Sequence, residues 1–151
     1  ARRVVGWDYS RWYATADTYP QNAVRGPIVM VTNQWAGSDG DIVAAATQAM
    51  GYAKVIGERS WGGVVGIDGR FDLVDGTSVT QPRYAGWYGS YGWGVENHGV
   101  DPDIVVTVSP EDWEADCDVQ LDAAIAECLR QLDDKPAATA PELPGPAFDR
   151  C

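Results

Sequence analysis

Short β-branched runs and one Ala-rich stretch dominate the middle of the chain. The run 28-IVMVT-32 is short and β-branched, as a buried strand is, and 53-AKVIGE-58 reads as a second short strand. Between them, residues 39–50 read as a helix that ends before Gly51. Strand, turn, helix and strand within roughly 30 residues predict a βαβ unit with a right-handed connection. Ligands of such units bind beyond the carboxyl ends of the strands, so the turn before the helix is a candidate ligand-binding site.

From residue 61 to residue 106 the pattern changes to short stretches rich in Gly, β-branched and aromatic residues. Asp68-Gly69 and Asp75-Gly76 are typical of hairpin turns, so we expect several short antiparallel strands. The aromatic run 84-YAGWYGSYGWG-94 favours a hairpin whose rings cover a sheet face or a subunit contact. The alternative is a stacking platform for sugars or peptide side chains.

The two ends of the chain differ from its middle. Residues 1–26 predict mostly irregular structure with a short strand at residues 4–7. Residues 119–132 predict an amphipathic helix. Its expected apolar face comprises Val119, Ala123, Ala126 and Leu129, with Leu121, Ile125 and Leu132 beside them. Residues 133–151 are rich in Pro, Ala and acidic residues, so we expect a disordered tail after a single domain over residues 1–132.

Composition narrows the classes of partner. The 151 residues include 22 acidic and 11 basic side chains, which give a formal charge of −11. That charge disfavours binding to nucleic acids or anionic membranes, and no apolar window approaches the roughly 18 residues of a membrane span. It is compatible with a soluble cytoplasmic protein and with basic ligands.

Metal-binding and disulfide chemistry are not indicated. The chain has three cysteines, Cys117, Cys128 and Cys151, in no Cys-x-x-Cys pair, and its single histidine is His98. An odd count suggests free thiols in a reducing compartment. We therefore expect no metal and no cofactor.

Ser38, in 36-AGSDGDIVAAATQAM-50, has two interpretations. Ser38 with Asp41 fits the Ser-x-x-Asp capping pattern, in which the Ser oxygen accepts from a backbone N–H of the first helical turn. A Ser at the tip of a strand-to-helix turn is also where a nucleophile would stand, beside N–H groups that hold an oxyanion. The local pattern alone favours the cap.

A nucleophilic Ser needs a general base within hydrogen-bond reach. Ser38, His98 and Asp101 would form a chemically acceptable triad, but nothing in their spacing requires one. A lone His beside Gly99 is more typical of a solvated loop residue.

Three stretches in order carry a family resemblance: 32-TNQWAGSDGDI-42, 56-IGERSWGGVVGI-67 and 94-GVENHGVDPDI-104. Together they resemble the C-terminal catalytic domain of the tricorn proteases, serine peptidases related to the C-terminal-processing (tail-specific) group. The resemblance covers about residues 5 to 132. It implies an α/β fold with a ClpP/crotonase-like β-α core, a mostly parallel sheet, flanking helices and a β-hairpin excursion. It reverses the local preference, because Ser38 matches the nucleophile of the family.

The resemblance assigns three further roles. Asp39 matches the residue whose backbone N–H forms half of the oxyanion hole. Glu96 matches the acid of a Ser-His-Ser-Glu tetrad, in which it polarises a second Ser that orients the His. Asp8, in 6-GWDYS-10, matches the acid at the bottom of the first specificity pocket, which in the family comes from a neighbouring subunit.

The resemblance also implies what this chain lacks. The catalytic His, its adjacent Ser and the Gly-rich donor of the second oxyanion N–H match no residue here, and the family carries them upstream; His98 is assigned no role. We therefore expect a cytoplasmic serine peptidase acting on short peptides, in which upstream domains of the same protein supply the His, and which assembles as a hexamer. The isolated fragment should be inactive. The alternatives are a catalytically inactive peptide-binding or assembly domain of the same fold, and a carbohydrate- or peptide-binding module that uses the aromatic run.

Overall fold

The computed structural model describes residues 3–10, 12 and 15–142. The chain divides into two units, Ile28–Leu129 and the described residues of Ala1–Pro27 with Arg130–Cys151. Its elements in chain order are β1 (Gly6–Tyr9), β2 (Ala16–Tyr19), β3 (Val29–Thr32), α1 (Asp39–Met50), β4 (Lys54–Gly57), β5 (Gly66–Asp68), β6 (Gln81–Tyr84), β7 (Ile104–Val105), α2 (Pro110–Glu114) and α3 (Val119–Asp134).

A parallel sheet forms the centre of the Ile28–Leu129 unit. Its strand order is β3-β4-β7, with Met30 opposite Val55 and Ile56 opposite Ile104. Helix α1 connects β3 to β4 and packs on both. The predicted strand–helix–strand order is therefore present, and α1 has the predicted bounds.

Small apolar residues let α1 approach the sheet closely. Ala44 and Ala45 of α1 are buried in one cluster with Val55, and three further valines, Val64, Val95 and Val100, complete that cluster. Gly51 ends the helix with φ 62°, and its N–H donates to the carbonyls of Thr47 and Gln48. It is therefore the left-handed stop that its position after the Ala-rich run predicts.

The hairpin excursion consists of β5 and β6, which pair in antiparallel fashion. Beyond them, Asp72 bridges to Ser78, and the N–H of Leu73 donates to the Thr77 carbonyl. The chain reverses once, at Asp75-Gly76, where Gly76 has φ 81°. The second predicted turn, at Asp68-Gly69, is wrong, because Asp68 ends β5 without a reversal.

Helix α3 begins where predicted and runs two residues further, but it buries a different face. Its buried residues are Gln120 and Ala124, whereas Leu129 and Ala126 are exposed. The amide of Gln120 donates to the Val106 carbonyl at 2.9 Å, and this polar contact turns the 120/124 side inward. The short helix α2 is not in the predicted set; its Ser109–Asp112 capping box is complete.

In the smaller unit, β1 and β2 pair in antiparallel fashion. The backbone N–H of Ala138 donates to the Arg25 carbonyl at 2.8 Å. Residues 143–151, nine of the nineteen residues in the predicted disordered tail, lie outside the described residues, so that prediction stays open. Among the described helices, none is long and apolar enough to cross a membrane.

Candidate functional site

Ser38 lies at the junction of the β3–α1 turn with the helix. The turn is tight, since the N–H of Ala36 donates to the Asn33 carbonyl and the Trp35 N–H donates to the Asn33 side chain. Ser38 itself has φ 53° and ψ −110°, a conformation that non-Gly residues rarely adopt. Strained backbone of this kind clusters at active sites, where the surrounding structure maintains it.

The Ser38 hydroxyl is not a helix cap. Its side chain is exposed and makes no hydrogen bond to a residue that the structure describes. Only the carbonyl of Ser38 takes part in the helix, accepting from the N–H of Ile42 at 3.0 Å. The interpretation as a side-chain cap is therefore wrong, and the hydroxyl stands at the start of α1 without a partner in the described chain.

The N–H of Asp39 is also free within the described part of the chain. Asp39 is the first residue of α1, and first-turn N–H groups have no partner within a helix. The N–H lies one residue after Ser38, at the positive end of the helix dipole. It is placed as the oxyanion donor of a nucleophile turn would be.

Asp41, the other half of the expected cap, is a buried acceptor. Its side chain is 0 % exposed, and Oδ1 accepts from the Ser60 hydroxyl at 2.5 Å and from the Gly62 N–H at 2.8 Å. Its other oxygen, Oδ2, has no partner among the described residues. Helical spacing in the sequence could have indicated that Asp41 is buried, because it precedes the buried Ala44 and Ala45 by three and four residues and therefore shares their helix face.

Ser60 extends the contact to a third segment. While its hydroxyl donates to Asp41, the same oxygen accepts from the Val100 N–H at 2.8 Å, and its backbone N–H donates to the Val100 carbonyl. Ser60 is 3 % exposed. A single buried hydroxyl thus joins α1 to the loop before β7, and sequence reasoning missed it.

Glu96 is held by backbone donors. Its Oε2 accepts from the N–H groups of Val64 and Val65 at 2.7 and 2.8 Å. Its other carboxylate oxygen has no hydrogen-bond partner in the described chain. Glu96 is therefore fixed in place with one acceptor oxygen unused.

The segment 60–65 connects Ser38 to Glu96. At one end the Trp61 N–H donates to the Ala36 carbonyl at 3.0 Å, two residues before Ser38. The Trp61 ring lies on Gly37 and Gly63, where an added Cβ would come within 2.5 and 2.4 Å of ring atoms. At the other end, the segment supplies the donors to Glu96. Segment 60–65 thus contacts the turn that carries Ser38 at one end and Glu96 at the other.

His98 forms a different pair. Its Nε2 lies 2.8 Å from Asp101 Oδ2, and both side chains are exposed. The structure shows no hydrogen bond between His98 and Ser38. Among the described residues, Ser38 therefore has no base bonded to it, and the Ser38–His98–Asp101 triad is not formed.

An apolar cavity of about 200 Å³ lies along α1. Ile42, Ala45, Ala46 and Ala49 line one side of it, and the aromatic run lines the other. Ser38 is not among the lining residues, the first of which, Ile42, follows it by four residues.

The aromatic run is divided between core and surface. Tyr88 and Tyr91 pack against the core cluster, whereas Trp87 and Trp93 are more than 60 % exposed. The Tyr91 hydroxyl donates to Gln48 at 2.7 Å, and burial raises its pKa above the ordinary value. Two of the rings thus have the structural role that we favoured, and the two tryptophans remain available for contacts.

Asp8 lies on β1 in the smaller unit, with its side chain exposed. The described residues contain no group of three potential metal ligands. Cys117 and Cys128 are free thiols, and Cys151 lies outside the described residues.

Comparison with known proteins identifies the family. The profile of peptidase family S41 matches residues 4–106. Tricorn protease homolog 1 of Streptomyces coelicolor (strain ATCC BAA-471 / A3(2) / M145) is 58% identical over 144 residues, which are 95% of this chain and 13% of that protein. The tricorn protease of Thermoplasma acidophilum (strain ATCC 25905 / DSM 1728 / JCM 9062 / NBRC 15155 / AMRC-C165) is 46% identical over 128 residues, 85% of this chain and 12% of that protein.

A crystal structure of the tricorn protease superposes with a TM-score of 0.82 at 45% identity, covering 87% of this chain and 13% of the solved one. The chain thus spans about one eighth of the length of the relatives that it matches. The structural match confirms the predicted fold class, and the sequence matches confirm the tricorn resemblance. The chain belongs to peptidase family S41, in the branch of the tricorn proteases.

Proposed function

We propose that this chain supplies the nucleophilic half of a serine peptidase active site. The observation that carries the proposal is the exposed, unbonded hydroxyl of Ser38 in a strained turn, next to the free N–H of Asp39. A side chain that served only to cap the helix would be bonded to that helix, and this one is not. Membership in family S41 supports the same chemistry.

The mechanism is acyl transfer. Ser38 Oγ attacks the scissile carbonyl carbon as a His from the remainder of the protein takes the hydroxyl proton. The Asp39 N–H donates to the oxyanion of the tetrahedral intermediate. The His then protonates the leaving amine, and water hydrolyses the ester at Ser38 with the same His as base.

Glu96 acts on the His indirectly. Two backbone N–H groups hold Oε2, and the unused oxygen is free to accept from the second Ser of the tetrad, which the family carries upstream. That Ser in turn orients the His. In this proposal, Glu96 organises the base although it never touches the substrate.

The substrates are short peptides. The cavity along α1, whose lining begins at Ile42, offers space for an apolar side chain. Asp8, supplied to the site of a neighbouring subunit, would attract basic side chains, which gives a pocket of mixed preference. Assembly as a hexamer and a cytoplasmic location complete the proposal.

The isolated chain is inactive in this account. Without the His, the Ser38 hydroxyl is hardly ionised at neutral pH. Loss of one oxyanion donor alone costs on the order of 10²–10³ in rate.

The test is hydrolysis of short peptides by the complete protein and by its Ser38→Ala variant. We expect a loss of kcat on the order of 10⁴-fold or more, as for other serine peptidases that lose the nucleophile. Ser78→Ala, an exposed Ser on the hairpin, is the matched control and should keep full activity. Equal activity of Ser38→Ala and wild type would refute the proposal. A wild type that binds peptides but never cleaves them would favour the inactive peptide-binding domain.

A further inference from the structure

We propose that Asp41 is a positioning residue for the nucleophile. Its buried carboxylate fixes the first turn of α1, and with it Ser38, against segment 60–65. The inference rests on the proposed peptidase function. It adds a residue that contacts neither the substrate nor the reacting atoms.

Asp41 occupies a buried position that is unfavourable for a carboxylate. A buried acid loses its hydration and needs several donors to compensate. Asp41 has its two donors, the Ser60 hydroxyl and the Gly62 N–H, on Oδ1, while Oδ2 has none among the described residues. An apolar residue would fill this position of an Ala-rich helix at lower cost. We infer that the Asp41 side chain fixes the position of α1 relative to segment 60–65.

The contacts of Asp41 lie where three segments of the chain meet. Asp41 and Ser60 link three segments, the start of α1, the loop after β4 and the loop at Val100. Each link is buried, so water does not compete for the donors. Removing Asp41 would leave the Gly62 N–H and the Ser60 hydroxyl without their acceptor.

Trp61 connects these three segments to the turn of Ser38. Trp61 lies between the two residues that Asp41 binds, and it touches the Ser38 turn through the Ala36 carbonyl and the face of Gly37. Asp41 therefore holds segment 60–65 from the helix side while Trp61 holds the turn from the other side. Along the chain, the strained backbone of Ser38 lies between these two attachments, at Ala36–Gly37 and at Asp41.

The consequence is kinetic. Misplacement of a reacting group by about 1 Å can cost on the order of 10²-fold in rate. A shift of segment 60–65 would also move the donors of Glu96. We therefore expect Asp41 variants to lose reactivity at Ser38 while remaining folded.

The experiment measures the second-order rate constant for labelling of Ser38 by a fluorophosphonate in the complete protein. The rate is expressed per folded molecule, well below the melting temperature of every variant. Asp41→Ala should slow labelling by about 10- to 100-fold. Asp41→Asn retains an oxygen that can accept from both donors, so it should recover most of the rate. Because the rate is expressed per folded molecule, a slower rate in Asp41→Ala would not follow from lower stability alone.

Two further variants keep the test decisive. Ser60→Ala removes the hydroxyl that bonds to Asp41 and to the Val100 N–H but leaves the Gly62 bond to Asp41 and the backbone bond to Val100. It should slow labelling even if Asp41→Ala fails to fold. Thr47→Val is the matched control, since Thr47 is 1% exposed on the same helix and its hydroxyl bonds to Tyr52. It should lower stability and leave the labelling rate within about twofold.

Wild-type labelling rates in both Asp41→Ala and Ser60→Ala would overturn the inference and leave the proposed function intact. A loss in Thr47→Val as large as in Asp41→Ala would also overturn it, because the effect would then follow stability. A wild type with no adduct at Ser38 would instead refute the proposed function, and the inference with it.

Discussion

At the scale of the residue, the backbone of Ser38 stores strain that function explains and stability does not. Its φ of 53° and ψ of −110° suit Gly, which lacks a Cβ. The chain nevertheless has Ser there, with a hydroxyl that stabilises nothing in the described structure. A residue kept at a conformational cost and without structural benefit is what an active site contains.

This strain leads to a stability prediction. Ser38→Gly should be more stable than Ser38→Ala by about 1 kcal/mol, because relief of strain outweighs the extra backbone entropy of Gly. Amide hydrogen exchange in α1 of the complete protein measures the difference. Greater stability of the Ala variant would mean that Ser38 is not strained.

The role of Ser38 as a nucleophile stays a prediction from the sequence, whereas the buried position of Asp41 was not predicted. The order of the motifs led to the hypothesis for Ser38, whereas Asp41 matched a capping pattern that many helix starts share. The difference arose because burial decides the role of an acid, and burial depends on tertiary packing. Helical spacing to Ala44 and Ala45 was the available signal.

At the scale of the element, the parallel sheet depends on one close approach. Gly57 pairs with Thr32 and has φ 123°, and a Cβ there would lie 2.1 Å from the Thr32 carbonyl oxygen. No side chain fits this contact. The ends of β3 and β4, from which the Ser38 turn and segment 60–65 extend, are therefore set by a Gly.

Gly57→Ala should destabilise the Ile28–Leu129 unit by at least about 3 kcal/mol, since both the backbone clash and the positive φ oppose it. Gly76→Ala is the matched control. It has φ 81° but no atom within 4 Å of an added Cβ, so only the strain of about 1 kcal/mol remains. Denaturant unfolding compares the two variants. Equal losses in the free energy of unfolding would show that the close approach at Gly57 does not contribute to stability.

Elements with a short β-branched or Ala-rich run were predictable from the sequence. Elements whose orientation depends on tertiary contacts were not. Strands β3 and β4 and helix α1 follow from local pattern. The inward face of α3 did not, because Gln120 turns inward to reach a carbonyl that no sequence window shows. Asp68-Gly69 resembled a turn, yet the long hairpin reverses only at Asp75-Gly76.

At the scale of the whole molecule, this chain spans about one eighth of its relatives and contains a site without a bonded base. In the proposed function Ser38, Asp39 and Glu96 serve acyl transfer, while the structure pairs His98 with Asp101. The central claim is that Ser38 becomes a nucleophile only when the rest of the protein supplies the His.

Mass spectrometry of a fluorophosphonate adduct tests that claim most directly. The complete protein and the isolated 151-residue chain are treated with the probe, and the modified residue is located by peptide mapping. The account predicts an adduct at Ser38 in the complete protein and none in the isolated chain. An unmodified Ser38 in the complete protein, or equal labelling of the isolated chain, would contradict it.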